Sequence, residues 1–254
     1  MLCWLIAHPN NNIKAQISSS SAIEVSLHHI IDSLEGQDIR TTSCLSSSKG
    51  KMEITPEIVV GFDNEAKALI NRLIRGSQLE IIPIVGMPGL GKTTLAKKVY
   101  NTLSSQRQFH IQLWCTVSQA YSVKNLLLQL LCSDGEHSRK NEELGILDED
   151  ELLDKLRKKL LGNKYLVVFD DVWDDRVWND LRLSFQGATK GSKILFTSRN
   201  SNVASQIEYG GEPHNLRLLT DTLSWELLQK KVFGEKECPE GLVKIGKQIA
   251  TNCK

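Results

Sequence analysis

One stretch in the first half of the chain, residues 81–100, constrains the fold more than any other. Its sequence is IIPIVGMPGLGKTTLAKKVY. It begins with a short apolar run, Ile81 to Val85, which is typical of a buried strand. Residues 86–93 follow and match the pattern G-x-x-x-x-G-K-[ST] at every fixed position. The pattern of residues 94–100 indicates a helix, so the stretch predicts a strand, a glycine-rich loop and a helix.

This loop pattern favours the capture of an anion. Glycines allow the backbone to curl so that several N–H groups point inward, and the helix N-terminus adds partial positive charge. We expect Lys92 to reach the β- and γ-phosphates of a nucleotide and the Thr93 hydroxyl to occupy a Mg²⁺ position. A chance glycine-rich turn is the alternative, and the strand–loop–helix context argues against it. The predicted nucleotide-binding residues of the loop are Gly86, Met87, Gly89, Leu90, Gly91, Lys92, Thr93 and Thr94.

Composition limits which partners the protein is expected to bind and in which cellular compartment it is expected to act. The 254 residues suffice for one large domain and part of another, and a net charge of +1 gives no indication of nucleic-acid binding. No apolar run approaches the roughly 18–20 residues that a membrane span needs, so no transmembrane segment is expected. The six cysteines form no C-x-x-C pair, which is typical of reduced thiols. These features predict a cytoplasmic protein.

Two further segments carry polar residues at the ends of apolar strands. Residues 165–171, YLVVFDD, end in two acidic residues. Asp170 is expected to hold Mg²⁺ together with Thr93, and Asp171 to orient or deprotonate a water molecule. Arg199 follows a strand at 191–198 and could approach a γ-phosphate through a bidentate contact. The alternatives are a structural acidic strand end and a merely exposed arginine.

The remaining pattern alternates strands and helices. Further strands are predicted at 109–118 and 214–218. Helices are predicted at 64–75 with Asp63 as N-cap, from Ser122, from Asp148 with a capping box to Glu151, from Thr220, and from Pro239. This alternation predicts an α/β fold with a doubly wound, mostly parallel five-stranded sheet. The expected divisions are a weakly ordered extension at 1–52 with one helix at 22–34, a nucleotide-binding domain at 53–219, and the start of a helical subdomain at 220–254.

The motifs together resemble the NB-ARC nucleotide-binding domain of plant intracellular disease-resistance receptors, the NLR proteins. The resemblance covers residues 58–254 and is strongest to receptors with N-terminal coiled coils, of the late-blight-resistance type. The matching segments, in the family's order, are VVGF at 59–62, GMPGLGKTTLAKKVY at 86–100, FHIQLWCTVSQ at 109–119, LVVFDDVWD at 166–174, GSKILFTSRN at 191–200 followed by Val203 and Ala204, and LRLLTDTLSWELLQKKVF at 216–233.

This resemblance implies an ATPase-like P-loop fold of the STAND and AAA type and binding of ADP or ATP with Mg²⁺. It implies that Val59, Val60 and Gly61 lie near adenine. It also implies that Asp171 assists a slow hydrolysis and that Arg199 senses the γ-phosphate. The family acts as a switch, closed with ADP and open with ATP, in plant defence and the hypersensitive response. Other receptor domains, host proteins or further copies of the chain are the implied partners.

The chain also departs from the family's pattern. It ends at residue 254, where the family continues into a Gly-Leu-Pro-Leu segment, further helical and winged-helix subdomains and a Met-His-Asp element. The expectation is therefore a shortened receptor with an incomplete cover over the nucleotide. Two other functions stay open. One is an interaction-only remnant that binds nucleotide weakly without switching; the other is a P-loop kinase or metabolic ATPase, which would need an acceptor pocket or an arginine-rich lid.

Overall fold

A computed structural model describes residues 58–133, 143–206, 211–234 and 236–252. The predicted extension at 1–52, with its helix at 22–34, lies outside these residues. The described residues divide into two compact units, one within 58–217 and one within 218–252. None of the helices in the described ranges is long and apolar enough to cross a membrane.

Strands and helices alternate through the first unit. Its strands are β1 (Glu80–Val85), β2 (Ile111–Thr116), β3 (Tyr165–Val172), β4 (Lys193–Ser198) and β5 (His214–Asn215). Its helices are α1 (Asp63–Ile74), α2 (Lys92–Ser105), α3 (Val123–Cys132), α4 (Glu149–Leu160), α5 (Arg176–Leu181) and α6 (Ser201–Gln206), with a 3₁₀ turn at Arg182–Phe185. The second unit contains α7 (Asp221–Phe233) and α8 (Glu240–Asn252).

The five strands form one sheet in the order β2-β3-β4-β1-β5, and every neighbouring pair is parallel. Two apolar clusters cover its two faces, as alternation along the strands requires. Ile81 belongs to the cluster that contains α3, α4 and α5, whereas Ile82 belongs to the cluster that contains α1 and α2. The predicted doubly wound α/β sheet is therefore confirmed.

Most predicted helix starts are confirmed by their hydrogen bonds. The Ser122 hydroxyl accepts from the Asn125 N–H, and the Thr220 hydroxyl accepts from the Leu223 N–H. Asp148 and Glu151 form the reciprocal capping box at the start of α4. The pattern did not reveal α5, the 3₁₀ turn or α6, because each is too short to show a helical period.

The start of α1 differs from the prediction. Asp63 is not the N-cap; it is the first helical residue, and Phe62 takes the cap position without a side-chain hydrogen bond. The Asp63 carboxylate instead lies 2.7 Å from the Lys98 Nζ of α2. Ile74, the last residue of α1, is exposed. The fifth strand is also shorter than predicted, since only His214 and Asn215 pair with β1.

In the second unit, α7 and α8 pack closely against each other. A Cβ atom added at Gly246 would lie 2.2 Å from the Trp225 ring, so the indole packs directly on the backbone of α8. Larger side chains at position 246 would separate the two helices. Ile245 and Ile249 on α8 remain partly exposed.

Candidate functional site

The predicted site residues meet at the carboxyl edge of the sheet. The loop of residues 86–91 follows β1, Asp170 and Asp171 lie at the end of β3, and Arg199 follows β4. Since β4 lies between β1 and β3, these three strand ends are neighbours. Open parallel sheets bind their ligands at this edge.

The glycine loop has the backbone that the pattern requires. Gly89 and Gly91 have φ angles of 81° and 87°, which favour glycine. A Cβ atom at Gly91 would lie 2.7 Å from the Phe62 ring, so both conformation and space require glycine there. Sequence reasoning gave Phe62 no role, yet its buried ring supports the loop from the segment before α1.

The Lys92 side chain folds back onto this loop. Its Nζ donates hydrogen bonds to the Gly86 and Met87 carbonyl oxygens, each at 2.8 Å. An ammonium group carries three N–H donors, so this arrangement has capacity for an anionic oxygen as well. Burial lowers the pKa of Lys92 below its ordinary value, and the positive charge of Arg199 lowers it further. A bound anion would relieve both effects.

Thr93 and Asp170, the two residues expected to hold Mg²⁺, are hydrogen-bonded to each other. The Thr93 hydroxyl, in the first turn of α2, donates to Asp170 Oδ1 near the end of β3 at 2.9 Å. Within the described ranges no group of three or more His, Cys, Asp or Glu residues could hold a metal ion. Mg²⁺ typically takes one or two protein oxygens and completes its shell with phosphates and water. This donor set therefore fits Mg²⁺ bound together with a nucleotide.

Asp171 and Arg199 are paired with each other. Arg199 Nε and Nη2 donate to the two Asp171 carboxylate oxygens at 3.2 and 3.3 Å. The guanidinium also lies over the Trp173 ring, 4.7 Å from its centroid. Trp173 was part of a family signature without a role of its own; here it supports the arginine through a cation–π contact.

The segment expected near adenine precedes α1. Val60 is buried, Val59 is half-buried, and Gly61 has a φ angle of 78°. Phe62 connects this segment to the glycine loop through its contact with Gly91. The residues expected near the base and those expected near the phosphates are therefore adjacent.

Other loop residues differ in exposure. The Met87 side chain is exposed at the tip of the loop. Leu90 lies within reach of Gly86, since a Cβ atom added there would be 2.9 Å from Leu90 Cδ1. Thr94 lies in the first turn of α2, directly after Thr93.

Thr197 was missed by sequence reasoning. It is buried near the end of β4, donates to Asp170 Oδ1 at 2.6 Å and accepts from the Asp171 N–H at 2.8 Å. The available signal was the pair of polar residues, Thr197 and Ser198, that follows the apolar centre of the strand, residues 194–196.

Solved structures share this fold. The Aeropyrum pernix ORC2 protein in its ADPNP–ADP complexes matches with a TM-score of 0.55 and 17% identity, covering 77% of this chain and 59% of that one. The Aeropyrum pernix ORC1 protein in complex with DNA matches with a TM-score of 0.53 and 13% identity, covering 78% and 56%. At such identities the likeness establishes the fold alone, an α/β P-loop NTPase fold.

Curated relatives are closer in sequence. The putative late blight resistance protein homologs R1B-14 and R1B-19 of Solanum demissum are 41% and 40% identical over 244 and 243 residues, which is 95% of this chain in each case. The chain spans only 17% of the length of each relative. The similarity extends into the first 52 residues, beyond the resemblance found from the motifs.

The family follows from a direct match. The sequence profile of the NB-ARC domain matches residues 62–238, which include the glycine loop, the acidic end of β3 and Arg199. This region is more than half of the chain. The chain therefore belongs to the NB-ARC domain family.

Proposed function

We propose that this chain is the ADP- and ATP-binding switch module of a plant intracellular immune receptor. The family and the late blight resistance homologs support the receptor assignment. The proposed organisation is a nucleotide-binding domain at 53–219 followed by the start of a helical subdomain, in a cytoplasmic protein. Its partners are other receptor domains, host proteins or further copies of the chain, and its output is the defence response.

The observation that carries nucleotide binding is the position of Lys92. Its ammonium group is buried, donates to two loop carbonyl oxygens and has a lowered pKa. Burying this positive charge is unfavourable, and a bound phosphate group would offset that free energy. Lys92 is also the first residue of α2, and a helix N-terminus favours a bound anion. Lys92 binds and orients the terminal phosphates in this proposal.

Thr93 and Asp170 would hold Mg²⁺. When bound, the ion neutralises phosphate charge and fixes the orientation of the β- and γ-phosphates. The Thr93 hydroxyl and the Asp170 carboxylate would each offer an oxygen to the ion. Val59, Val60 and Gly61 position the base.

Arg199 distinguishes ATP from ADP in this proposal. Its guanidinium is half-exposed and satisfied by Asp171, and a γ-phosphate offers it a second anion. Moving from the carboxylate to the phosphate releases Asp171, which then orients or deprotonates water for a slow hydrolysis. ADP has no such group, so the two nucleotides favour different arrangements of this pair.

Isothermal titration of the 254-residue chain with ADP and ATP, each with Mg²⁺, tests the binding. Lys92→Ala should weaken both affinities at least about 100-fold, because the phosphates lose a buried counter-ion. Lys158→Ala is the matched control, since Lys158 is an exposed lysine paired with Asp154 on α4. Equal affinities in the wild type and Lys92→Ala would refute the proposal.

A further inference from the structure

We propose that Thr197 is a positioning residue that aims both acidic residues of the site. The inference rests on the proposed function, because it concerns how Asp170 and Asp171 are held toward the nucleotide. It goes beyond that function in assigning the task to a buried hydroxyl on the neighbouring strand.

The end of β3 contains a β-bulge opposite Thr197. Phe169 pairs with Phe196 and Val172 pairs with Ser198, so two residues of β3 oppose a single residue of β4. The two bulged residues are Asp170 and Asp171. Asp171 has a φ angle of 59°, a left-handed conformation that aspartate tolerates better than most residues.

The bulge places both carboxylates on one side of the sheet. In a regular strand the side chains of consecutive residues point to opposite faces. Here Asp170 contacts Thr197, and Asp171 contacts Arg199, two positions further along from Thr197. Bulges beside functional sites commonly redirect a side chain in this way.

The Thr197 hydroxyl holds the two bulged residues at once. The Asp171 N–H can only donate, so the hydroxyl accepts there, at 2.8 Å. Its own proton is then directed to Asp170 Oδ1, at 2.6 Å. With Thr197 only 1% exposed, water does not replace either bond readily.

These two bonds fix different parts of the site. The bond to the Asp171 amide holds the backbone in the left-handed conformation from which the Asp171 carboxylate reaches Arg199. The bond to Asp170 Oδ1 adds to the one from Thr93, so the same oxygen accepts two hydroxyls. The rotation of the Asp170 carboxylate is thereby set before any ion binds.

The first test measures amide exchange of the ligand-free chain by NMR. The Asp171 amide should be protected in the wild type and in Thr197→Ser, and should exchange about tenfold faster in Thr197→Val, which has the same shape without the hydroxyl. An unprotected Asp171 amide in the wild type would overturn the proposal, and this measurement does not depend on Thr197→Val folding.

The second test measures how Mg²⁺ changes ADP affinity. The ratio of the Kd in EDTA to the Kd in Mg²⁺ should fall about tenfold in Thr197→Val and be restored in Thr197→Ser, the effect expected for a residue that orients a metal ligand. If Thr197→Ser is as impaired as Thr197→Val, or if neither differs from the wild type, the positioning role is wrong.

Ser192→Ala is the matched control for a general weakening of the sheet. The Ser192 hydroxyl is buried and accepts from the Tyr165 N–H, so it joins the same two strands at their opposite ends. Ser192→Ala should leave the ratio of the ADP Kd in EDTA to the Kd in Mg²⁺ unchanged. A reduction equal to that of Thr197→Val would overturn the specific role. Failure of the wild type to bind ADP at all would instead refute the proposed function, and the amide measurement would still decide the role of Thr197.

Discussion

A buried lysine lies near each end of strand β4, and the two lysines differ in their hydrogen-bond partners. At the amino end, Lys193 Nζ lies 3.0 Å from Glu80 Oε2 and 3.4 Å from the Gln78 carbonyl oxygen, and Arg72 Nε donates to Glu80 Oε1 at 2.9 Å. Although burial raises the pKa of Glu80, hydrogen bonds from Lys193 and Arg72 outweigh it and lower that pKa. Each charge has an opposite charge within the protein.

At the carboxyl end the charges are arranged differently. Lys92 is held by two carbonyl oxygens, which are neutral, and its pKa is lowered chiefly by burial. Asp171 and Arg199 are paired but half-exposed, so either can exchange its partner. Removing one partner of a buried ion pair is strongly destabilising, whereas a buried ammonium whose hydrogen bonds go only to neutral carbonyl oxygens is typical of a ligand site.

The largest expected effect separates the two lysines by binding. Lys92→Ala should reduce Mg-ADP affinity at least about 100-fold while changing the free energy of unfolding by less than about 1 kcal/mol, because a buried ammonium without a carboxylate partner contributes little stability. Titration and urea unfolding of the same preparation check both values. If Lys92→Ala lost more free energy of unfolding than free energy of ADP binding, Lys92 would be a structural residue like Lys193.

Lys193→Met should show the opposite behaviour. Removing one partner of a buried ion pair costs about 3–5 kcal/mol, and because Glu80 is partly exposed we expect about 2 kcal/mol. ADP affinity of the folded protein should stay within about twofold of the wild type, since the change lies at the far end of β4. Urea unfolding measures the first quantity and titration the second. Impaired binding would mean that the two ends of β4 are coupled.

Two glycines with positive φ, one in the nucleotide-binding loop and one far from it, allow a similar comparison of binding and stability. Gly91→Ala combines a left-handed backbone with a contact of 2.7 Å to Phe62, whereas Gly162→Ala at φ 76° meets nothing within 4 Å. We expect a loss of about 1 kcal/mol of stability for Gly162→Ala, and about 2 kcal/mol together with weaker ADP binding for Gly91→Ala. Thermal unfolding and titration check this; equal effects would show that Phe62 does not support the loop.

The smallest expected effects are those of substituting Asp170 and Asp171, which should differ in Mg²⁺-dependent affinity and in hydrolysis. Asp170→Asn should reduce Mg²⁺-dependent ADP affinity about tenfold, because a carboxylate ligand becomes an amide. Asp171→Asn should keep ADP binding, since asparagine also tolerates the left-handed backbone, and should slow hydrolysis. Titration with and without Mg²⁺ and single-turnover hydrolysis distinguish them. Identical behaviour of both variants would refute the division of roles.

Much of the fold could be predicted because its signals are local. The apolar runs of β1, β3 and β4, the glycine loop and the caps at Ser122, Asp148 and Thr220 depend on neighbours in the sequence. Asp63 was misassigned because its carboxylate pairs with Lys98 of another helix, a contact that no local pattern reveals. The length of the two-residue β5 was overestimated for the same reason, since pairing with β1 determines it.

The candidate site likewise contains residues that local motifs predict and residues that only tertiary contacts reveal. The motifs predict Lys92, Thr93, Asp170 and Arg199 as site residues, and the structure brings them to one edge of the sheet. Thr197 was not, because its importance depends on a bulge in the neighbouring strand rather than on its own surroundings in the sequence. The mutual pairing of Asp171 and Arg199 is likewise a tertiary contact between residues far apart in the chain.

The central claim is that the carboxyl end of the sheet binds nucleotide and the amino end does not. The most direct test is the shift in Tm caused by saturating Mg-ADP in three proteins: the wild type, Lys92→Ala and Lys193→Met. A ligand that binds only the folded state raises Tm by an amount that grows with its affinity. We predict a similar upward shift in the wild type and Lys193→Met, the latter from a lower starting Tm, and a much smaller shift in Lys92→Ala. The same shift in all three proteins would contradict the account.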